Sequence, residues 1–552
     1  MEAHPAAALG PESRRITGNA PKHYQVVVCG AGPTGLMLAN LLGGLGIRTL
    51  VVERKPSVNT APRAVSIDDE ALRTTQAAGL SDALLTDVML DYGSHYFSPD
   101  GTCFAKVEPA ARTYGFPRRN AFRQPDLEAV LLGGLDRFTH IDMRFGHALT
   151  GFSQTPDGAR PGKVALALAG ASDPASAVTC DFLAACDGGR SFMRNALGIA
   201  MKGSTFEQRW LILDLADSRD TFRHTRVLSN PARPGICLPG PHRTRRYEFM
   251  LAADETTADA ETEDFSRRLL RAHGPDGETE IVRRQVYTFH ARAAERWRDG
   301  RIFLLGDAAH LTPPFAGQGM NSGIRDAHNL AWKLAAVLTG AMPQALLESY
   351  ERERRPHAWA LIELAMAIGR VMVPTSPFNA WLMQTGFRLL GMWPPAKRYV
   401  TQMGFKPKPY YRSGFLARPA DRFGRGAIGR MLPQPLIETV AGRPLLLDEI
   451  LGPGLTAIAI DDDPAAAADA FGALPAGIAR LCVTPRSVIP AETDGITVVR
   501  DMEGALHSFA GAAARPVLFV RPDRYIADAF DRATCPDLGK RLQSLLNVNG
   551  MP

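Results

Sequence analysis

The first apolar run along the chain predicts a buried strand, a tight turn and a helix. Residues 26–29 are continuously apolar, which is typical of a parallel strand covered on both faces. A G-x-G-x-x-G turn follows at once, and an apolar helical pattern continues over residues 36–45. The uncharged stretch 24–47 is long enough to cross a bilayer. Its glycines, Pro33 and its change of period favour strand, turn and helix instead.

The spacing of the glycines predicts a dinucleotide site. Gly30 suits the tight turn, Gly32 lets backbone approach a pyrophosphate, and Gly35 lets the helix pack closely on the strand. A second apolar strand, residues 49–52, ends at Glu53, where an acid would hold a ribose. The helix N-terminus would then face the phosphates. The motif alone does not distinguish FAD from NAD(P).

A similar pattern recurs in the middle of the chain. A buried-strand pattern over residues 301–305 runs into Gly306 and Asp307, and a turn rich in glycine and proline then opens a long helix that reaches residue 334. An acid at the end of a strand and a glycine-rich turn before a helix repeat the features of the first motif. The sequence therefore predicts a second contact with one extended cofactor.

Charge and cysteine content exclude several other classes of function. The 63 Lys and Arg against 57 Asp and Glu give a net charge of +6 that is spread along the chain, so no nucleic-acid partner is expected. The seven cysteines form no C-x-x-C pair and no metal-ligand spacing, so we expect no metal site and a cytoplasmic, reducing location. Residues 1–22 lack the apolar core of a signal peptide and are expected to form a disordered extension. No membrane partner is expected.

Three motifs together resemble a known family. The glycine turn with Glu53, the Asp187-Gly188 pair and the Gly306-Asp307 segment resemble the three fingerprints of the single-component FAD-dependent aromatic hydroxylases, the p-hydroxybenzoate hydroxylase group. Further stretches resemble the branch of this family that hydroxylates 3-(3-hydroxyphenyl)propionate; they are residues 62–64, 67–73, 116–122, 321–326 and 521–525. The similarity covers roughly residues 22–545.

The resemblance implies FAD as cofactor and assigns contacts to it. By it, Glu53 holds the adenosine ribose, Asp307 holds the ribityl chain, and Asp187 lies near the pyrophosphate and the approaching nicotinamide. Backbone N–H groups of residues 317–321 lie beside the isoalloxazine ring, and Gln124 touches the cofactor from its helix. The residues expected at the FAD are Gly30, Gly32, Gly35, Glu53, Arg54, Arg63, Gln124, Asp187, Gly306, Asp307, Pro313, Gly317, Gly319, Met320 and Asn321.

The resemblance also implies the reaction. In this family NADH or NADPH binds transiently and reduces the FAD, O2 forms a flavin C4a-hydroperoxide, and one oxygen atom enters a phenol ring ortho to its hydroxyl. The expected substrate is a small phenolic acid such as 3-(3-hydroxyphenyl)propionate. A larger phenolic or polyketide substrate, a flavin oxidase or reductase that inserts no oxygen, and a flavin-bound sensor remain alternatives. The absence of a second G-x-G-x-x-G and of a redox disulfide motif favours the hydroxylase.

Candidate catalytic residues lie in an alternating segment at residues 246–249. The alternation places Arg246 and Glu248 on one face of a strand and Tyr247 on the other. The resemblance matches Arg246 to an arginine near the flavin and offers Tyr247 as a phenolic contact. The alternative for Tyr247 is a core residue with a satisfied hydroxyl. His310 is expected to support the flavin loop.

The predicted fold is α/β and has three parts. A discontinuous Rossmann-like FAD-binding domain is expected over residues 23–400, with an inserted β-sheet substrate domain built from residues of about 85–115 and 190–285. A linker is expected at residues 401–440, followed by a thioredoxin-like C-terminal domain at residues 441–552. Because that domain has no C-x-x-C, we expect it to be structural or to form a homodimer.

Overall fold

The computed structural model describes residues 22–155, 162–170, 176–374, 376–472, 474–475, 477–533, 535 and 537–547. The expected disordered extension lies outside the described residues, except for Lys22, which begins the first strand. The strands, in chain order, are β1 (Lys22–Cys29), β2 (Thr49–Glu53), β3 (Ser66–Ile67), β4 (Ser94–Phe97), β5 (Cys103–Val107), β6 (Asn120–Ala121), β7 (Ile141–Phe145), β8 (His147–Gln154), β9 (Val164–Gly170), β10 (Ser176–Ala185), β11 (Met201–Leu215), β12 (Thr225–Leu228), β13 (Gly235–Pro239), β14 (Arg245–Met250), β15 (Ile281–Ala294), β16 (Arg298–Asp299), β17 (Ile302–Leu304), β18 (His310–Leu311), β19 (Leu436–Thr439), β20 (Pro444–Leu446), β21 (Thr456–Ile460), β22 (Ala479–Thr484), β23 (Thr497–Asp501), β24 (Pro516–Val520) and β25 (Ile526–Asp531).

Helices cover the sheets and carry the connections between them. In chain order they are α1 (Pro33–Gly44), α2 (Asp69–Ala77), α3 (Ser81–Leu85), α4 (Gln124–Gly134), α5 (Phe192–Ala196), α6 (Thr257–Ala260), α7 (Glu263–His273), α8 (Gly319–Leu338), α9 (Ser349–Met372), α10 (Pro377–Gly391), α11 (Pro394–Thr401), α12 (Arg422–Ala427), α13 (Pro464–Phe471), α14 (Ala505–Ala510) and α15 (Leu538–Leu546). Within the described residues no single helix is long and apolar enough to span a membrane. The segment Gln344–Met372 and helix α10, bent by 109°, meet the length and composition criteria only as a pair.

The first sheet positions the cofactor motifs. Its strand order is β16-β17-β10-β1-β2-β7, with β9 and β8 continuing from β10. Strands β1, β2, β10 and β17 run parallel to one another, so their carboxyl ends meet at one edge of the sheet. The three predicted fingerprints follow those strand ends, although they are far apart in the chain. Helices α1 and α8 begin at this edge and pack on each other.

The second sheet forms the inserted domain. Its order is β18-β15-β11-β14-β13-β12-β4-β5, and it combines strands from both predicted insertions. The second insertion extends beyond residue 285, because β15 continues to Ala294, which pairs with Met201 of β11.

The third sheet belongs to the C-terminal domain and has the order β20-β19-β23-β22-β21-β24-β25. The prediction of a linker at residues 401–440 is wrong. Tyr411, Leu416 and Leu432 are buried in the core of this domain, and β19 pairs with β23. Prolines in that stretch indicate irregular backbone, but the apolar residues between them still bury their side chains. The thioredoxin-like topology stays a prediction.

Candidate active site

The glycine turn forms one wall of a cavity. Gly30 has φ of +106°, and a Cβ there would lie 2.4 Å from the carbonyl oxygen of Cys186. A Cβ at Gly35 would lie 2.0 Å from the carbonyl oxygen of Gly30. A Cβ at Gly32 would meet nothing within 4 Å. Packing therefore requires glycine at the first and third positions, whereas the second lies at an open space beside the N-terminus of α1.

A cavity of about 1000 Å³ runs from this turn to the second sheet. It brings together most of the residues that the sequence assigned to the FAD. The predicted cofactor residues that line the cavity are Gly30, Gly32, Glu53, Arg54, Arg63, Gln124, Asp187, Asp307, Gly317, Gly319 and Met320. The pyrophosphate, ribose and flavin positions implied by the motifs therefore fall along one continuous space.

The other four predicted cofactor residues lie behind the cavity wall. Gly35 packs against Gly30 as described, and the N–H of Gly306 donates to Asp326 Oδ2 at 3.1 Å. Asn321 donates from Nδ2 to the carbonyl oxygen of Gly317 at 2.6 Å. Pro313 precedes a single 3-10 turn, Pro314–Ala316. These residues shape the backbone that faces the cavity.

Acidic side chains at the cavity fit the hydroxyl groups of a dinucleotide. Asp187 Oδ2 accepts the N–H of Met193 at 3.1 Å, but its buried Oδ1 has no partner among the described residues. Asp307 is exposed to the cavity, and desolvation by the surrounding protein raises the pKa of its carboxyl, although His310 and Arg63 oppose the shift. A buried acceptor without a partner among the described residues, such as Asp187 Oδ1, favours a hydroxyl donor from a bound molecule. The residues present therefore fit FAD.

Two further predicted residues mainly support the backbone and side chains around the cavity. Gln124 lines the cavity, but its Oε1 accepts the N–H of Ala64 at 2.8 Å and its Nε2 donates to Glu128 at 2.7 Å. His310 is fully buried, with Nε2 2.7 Å from Asp326 Oδ2. Because Asp326 also accepts the Gly306 N–H, His310 steadies the turn that presents Asp307.

The two candidate catalytic residues have different surroundings. Arg246 lines the cavity, donates to Asp214 Oδ1 at 2.6 Å and donates to the carbonyl oxygen of Arg63 at 2.6 Å. Tyr247 is fully buried on the opposite face of β14, where its hydroxyl donates to Asp276 at 3.0 Å. The structure therefore corrects the expected phenolic contact from Tyr247. Alternation predicted two faces, but could not tell which one met the cavity.

Strand pairing assembles a row of cavity residues that sequence reasoning missed. Directly paired residues of neighbouring strands share one face of a sheet. The row crosses six strands in the order Gln285, Ile212, Glu248, Ile236, Val227 and Tyr96, and all six line the cavity. Of these six residues, only Glu248 could be placed on the same face as Arg246 from the sequence, because the two alternate along the strand.

Glu248 is the acidic group of this row. It is buried and its Oε1 lies 3.8 Å from Arg246 Nη1. Burial raises the pKa of its carboxyl, and nearby Arg246 and Arg283 offset the effect only in part. A carboxyl with a raised pKa inside a cavity is a candidate for proton exchange with a bound ligand.

The middle of the cavity is apolar. Val227, Ile236, Leu238 and Met372 form one buried cluster, and Phe315 packs against it. Phe315 belongs to the 3-10 turn before Gly317, so the apolar part lies beside the expected flavin position. An aromatic ring would bury its faces well between such walls.

A dinucleotide-binding edge is joined by one cavity to a mainly antiparallel sheet with an apolar middle, an arrangement that fits an FAD-dependent monooxygenase. The comparisons with known proteins agree. The chain belongs to the FAD-binding family whose model, described as "FAD binding domain", matches residues 23–365. A second model, described as "HcaD C-terminal domain", matches residues 429–545.

Named relatives extend over nearly the whole chain. A 3-(3-hydroxy-phenyl)propionate/3-hydroxycinnamic acid hydroxylase of Mycolicibacterium smegmatis is 38% identical over 539 residues, which cover 96% of this chain and 94% of the relative. A hydroxylase of the same name from Klebsiella pneumoniae is 40% identical over 513 residues, which cover 91% of each chain. The solved ternary complex of aklavinone-11 hydroxylase with FAD and aklavinone aligns with a TM-score of 0.76 at 28% identity, covering 96% of this chain and 99% of that one. FAD as cofactor and the aromatic hydroxylase class are thereby confirmed.

Proposed function

We propose that this enzyme hydroxylates a small phenolic acid, 3-(3-hydroxyphenyl)propionate or a close analogue, ortho to the hydroxyl, with NADH or NADPH and O2 as co-substrates. The observation that carries the proposal is the single cavity that connects the glycine turn with Glu248 and the apolar middle. A phenol held there has its hydroxyl near a carboxyl and its ring beside the loop at Gly317.

The names of the relatives support the substrate class. Two hydroxylases named for 3-(3-hydroxyphenyl)propionate align over more than nine-tenths of this chain. Aklavinone-11 hydroxylase supports the alternative of a larger phenolic, but at 28% identity. The higher identity over comparable coverage favours the small phenolic acid.

Each group of residues at the cavity has a separate role in the proposed reaction. When bound, FAD supplies the redox chemistry, by accepting a hydride and delivering one oxygen atom of O2 to the ring. Glu248 accepts the hydroxyl proton of the substrate, which makes the ring more electron-rich. Arg246 holds the loop at Pro62 and Arg63 against the substrate sheet. The walls at Val227 and Phe315 exclude water from the ring.

Substitution of Glu248 by glutamine is expected to lower kcat by about 100-fold, because the proton acceptor is lost while side-chain volume is kept. In the wild type the raised pKa of Glu248 means that kcat should increase with pH as the carboxyl ionises. In E248Q the fall of kcat at low pH should be absent. Steady-state rates between pH 5 and 9 check both points, and the same fall of kcat in E248Q as in the wild type would reject Glu248 as the proton acceptor. FAD content serves as the control.

NADH and NADPH oxidation by the purified holoenzyme tests the function itself. Addition of 3-(3-hydroxyphenyl)propionate should stimulate oxidation and give one hydroxylated product per O2 consumed. Stimulation that yields only hydrogen peroxide would indicate a poorly fitting ligand. If no phenol stimulated NADH or NADPH oxidation, an oxidase or reductase would be favoured and the proposed function would be contradicted.

We also propose that the enzyme is a homodimer and that a second copy covers helices α10 and α11. Eight large apolar side chains there are between 47% and 78% exposed: Phe378, Trp381, Leu382, Leu389, Leu390, Met392, Trp393 and Tyr399. Their exposed area is on the order of 1,000 Å², which is comparable with the roughly 800 Å² that each partner buries in a standard interface. Sedimentation velocity should find a dimer for the wild type and a monomer after Trp381→Glu with Trp393→Glu. A monomeric wild type would contradict the proposal.

A further inference from the structure

The cavity has a second polar end, away from Glu248. Tyr96 occupies the last cavity position of the row that starts at Gln285, and Ser94 lies two residues before it on β4. Three strand spacings separate Glu248 from Tyr96, which corresponds to about 14 Å. Val227 and Ile236 lie between them in the row. A ligand that fills this space has an aromatic or aliphatic middle and one polar group at each end.

Arg119 supplies the positive charge at this second end. It lines the cavity, donates from Nη1 to Ser94 Oγ and donates from Nη2 to Tyr92 Oη at 3.4 Å. Its guanidinium carbon lies 4.7 Å from the centre of the Tyr92 ring. These contacts hold the side chain in place, but they are all to neutral groups.

The other half-buried and buried cations that line the cavity as a whole are mostly compensated by carboxylates. Arg246 and Arg283 both pair with Asp214, and Lys406 pairs with Asp68 and Glu70. Arg119 has no carboxylate partner among the residues that the structure describes, and its neighbour Arg118 donates to the carbonyl oxygen of Gln402.

An uncompensated guanidinium at the edge of an apolar cavity favours an anionic ligand group. A carboxylate matches the planar, forked donor geometry of arginine. The hydroxyl of Ser94 and that of Tyr96 lie at the same end of the cavity and can complete its hydrogen bonds.

We propose that Arg119 binds the side-chain carboxylate of the phenolic substrate, at the end of the cavity opposite Glu248. This subsite rests on the proposed function and makes it more specific. The preferred substrates are phenols that carry a short acidic side chain meta to the hydroxyl, and Arg119 is the residue that selects them over neutral alkylphenols. Its effect is on binding, not on the chemical step.

A pair of ligands that differ only at the acidic group tests the subsite. Dissociation constants of 3-(3-hydroxyphenyl)propionate and 3-propylphenol are measured by the change in flavin absorbance of the oxidised holoenzyme, without a pyridine nucleotide, so that turnover is not required. Arg119→Met is expected to weaken binding of the acid by about 10- to 100-fold. Binding of 3-propylphenol should change by less than about threefold, and Arg119→Lys should retain part of the affinity for the acid.

The matched control is Arg112→Met, since Arg112 is exposed and pairs with Asp91 at 3.4 Å outside the cavity. That variant should bind both ligands as the wild type does. Equal weakening of both ligands in Arg119→Met would show a structural role and overturn the subsite, as would equal affinity of the wild type for both. Arg119-dependent binding of the acid in an enzyme that hydroxylates no phenol would support the subsite and reject the proposed function.

Discussion

Substitution of Glu353 by glutamine is expected to lower the free energy of unfolding by about 3–5 kcal/mol. Among the described residues, the change leaves the buried Lys333 without a carboxylate and leaves Arg521 with Asp523 alone. Glu353 lies on α9 and accepts from Arg521 at 2.8 and 2.7 Å and from Lys333 Nζ at 2.7 Å. It also accepts the N–H of Phe415 at 2.8 Å. Glu353, Arg521 and Lys333 are all buried.

The position of this network explains why the expected effect is large. Arg521 directly follows strand β24 of the C-terminal domain, whereas Lys333 belongs to α8, which begins at Gly319 on the wall of the cavity. One carboxylate therefore connects the two domains and satisfies donors from both. The neutral glutamine side chain keeps the volume but removes the charge, so that the change isolates electrostatics from packing.

The dependence of stability on pH gives the prediction a second measurement. Burial alone would raise the pKa of Glu353, but Arg521 and Lys333 outweigh it and lower the pKa to about 2. Because the folded-state pKa is below the unfolded value, this contribution is present above about pH 4.5. It is lost as the pH falls towards 2. The free energy of unfolding of E353Q should therefore fall less on acidification than that of the wild type.

A matched control separates this network from ordinary surface charge. Glu348 is 53% exposed at its side chain and pairs with Arg352 one helical turn away, so Glu348→Gln should change stability by less than about 0.5 kcal/mol. Urea denaturation of the wild type and both variants at pH 7 and pH 3 makes the comparison. Equal midpoints for E353Q and E348Q would contradict the assignment of the network as a link between domains.

Local spacing in the sequence predicted the cofactor half of the site but not the substrate half. Gly30, Gly32 and Glu53 could be placed because the order of strand, turn and helix within a few residues dictates the backbone. The row from Glu248 to Tyr96 could not, since it depends on the order β14-β13-β12-β4, which joins distant parts of the chain. The same reason explains why the orientation of Tyr247 was not predicted, since the neighbouring strands decide which face of β14 meets the cavity. Arg119 lies in the loop before β6, and its place in the cavity depends on its contact with Ser94 of β4, which no local pattern records.

Gly32→Ala is expected to weaken FAD binding by about 10- to 100-fold and to leave the apoprotein fold unchanged. Gly32 has φ of −80° and ψ of −179°, which alanine adopts without strain, and the added Cβ meets no protein atom within 4 Å. The methyl group would instead enter the cavity at the turn where the pyrophosphate is expected, and overpacking by one carbon costs about 1–3 kcal/mol.

The control for this variant lies on the same helix. A Cβ at Gly44 also meets nothing within 4 Å, and Gly44 does not line the cavity, so Gly44→Ala should bind FAD as the wild type does. Titration of each apoprotein with FAD, followed by flavin fluorescence, measures the affinities, and thermal unfolding of the apoproteins checks the fold. Gly35→Ala should differ from both by destabilising the apoprotein, since its Cβ would lie 2.0 Å from a carbonyl oxygen. If Gly32→Ala bound FAD as tightly as Gly44→Ala, the open space at Gly32 would not be the pyrophosphate position, and the cofactor would have to approach the turn from another side.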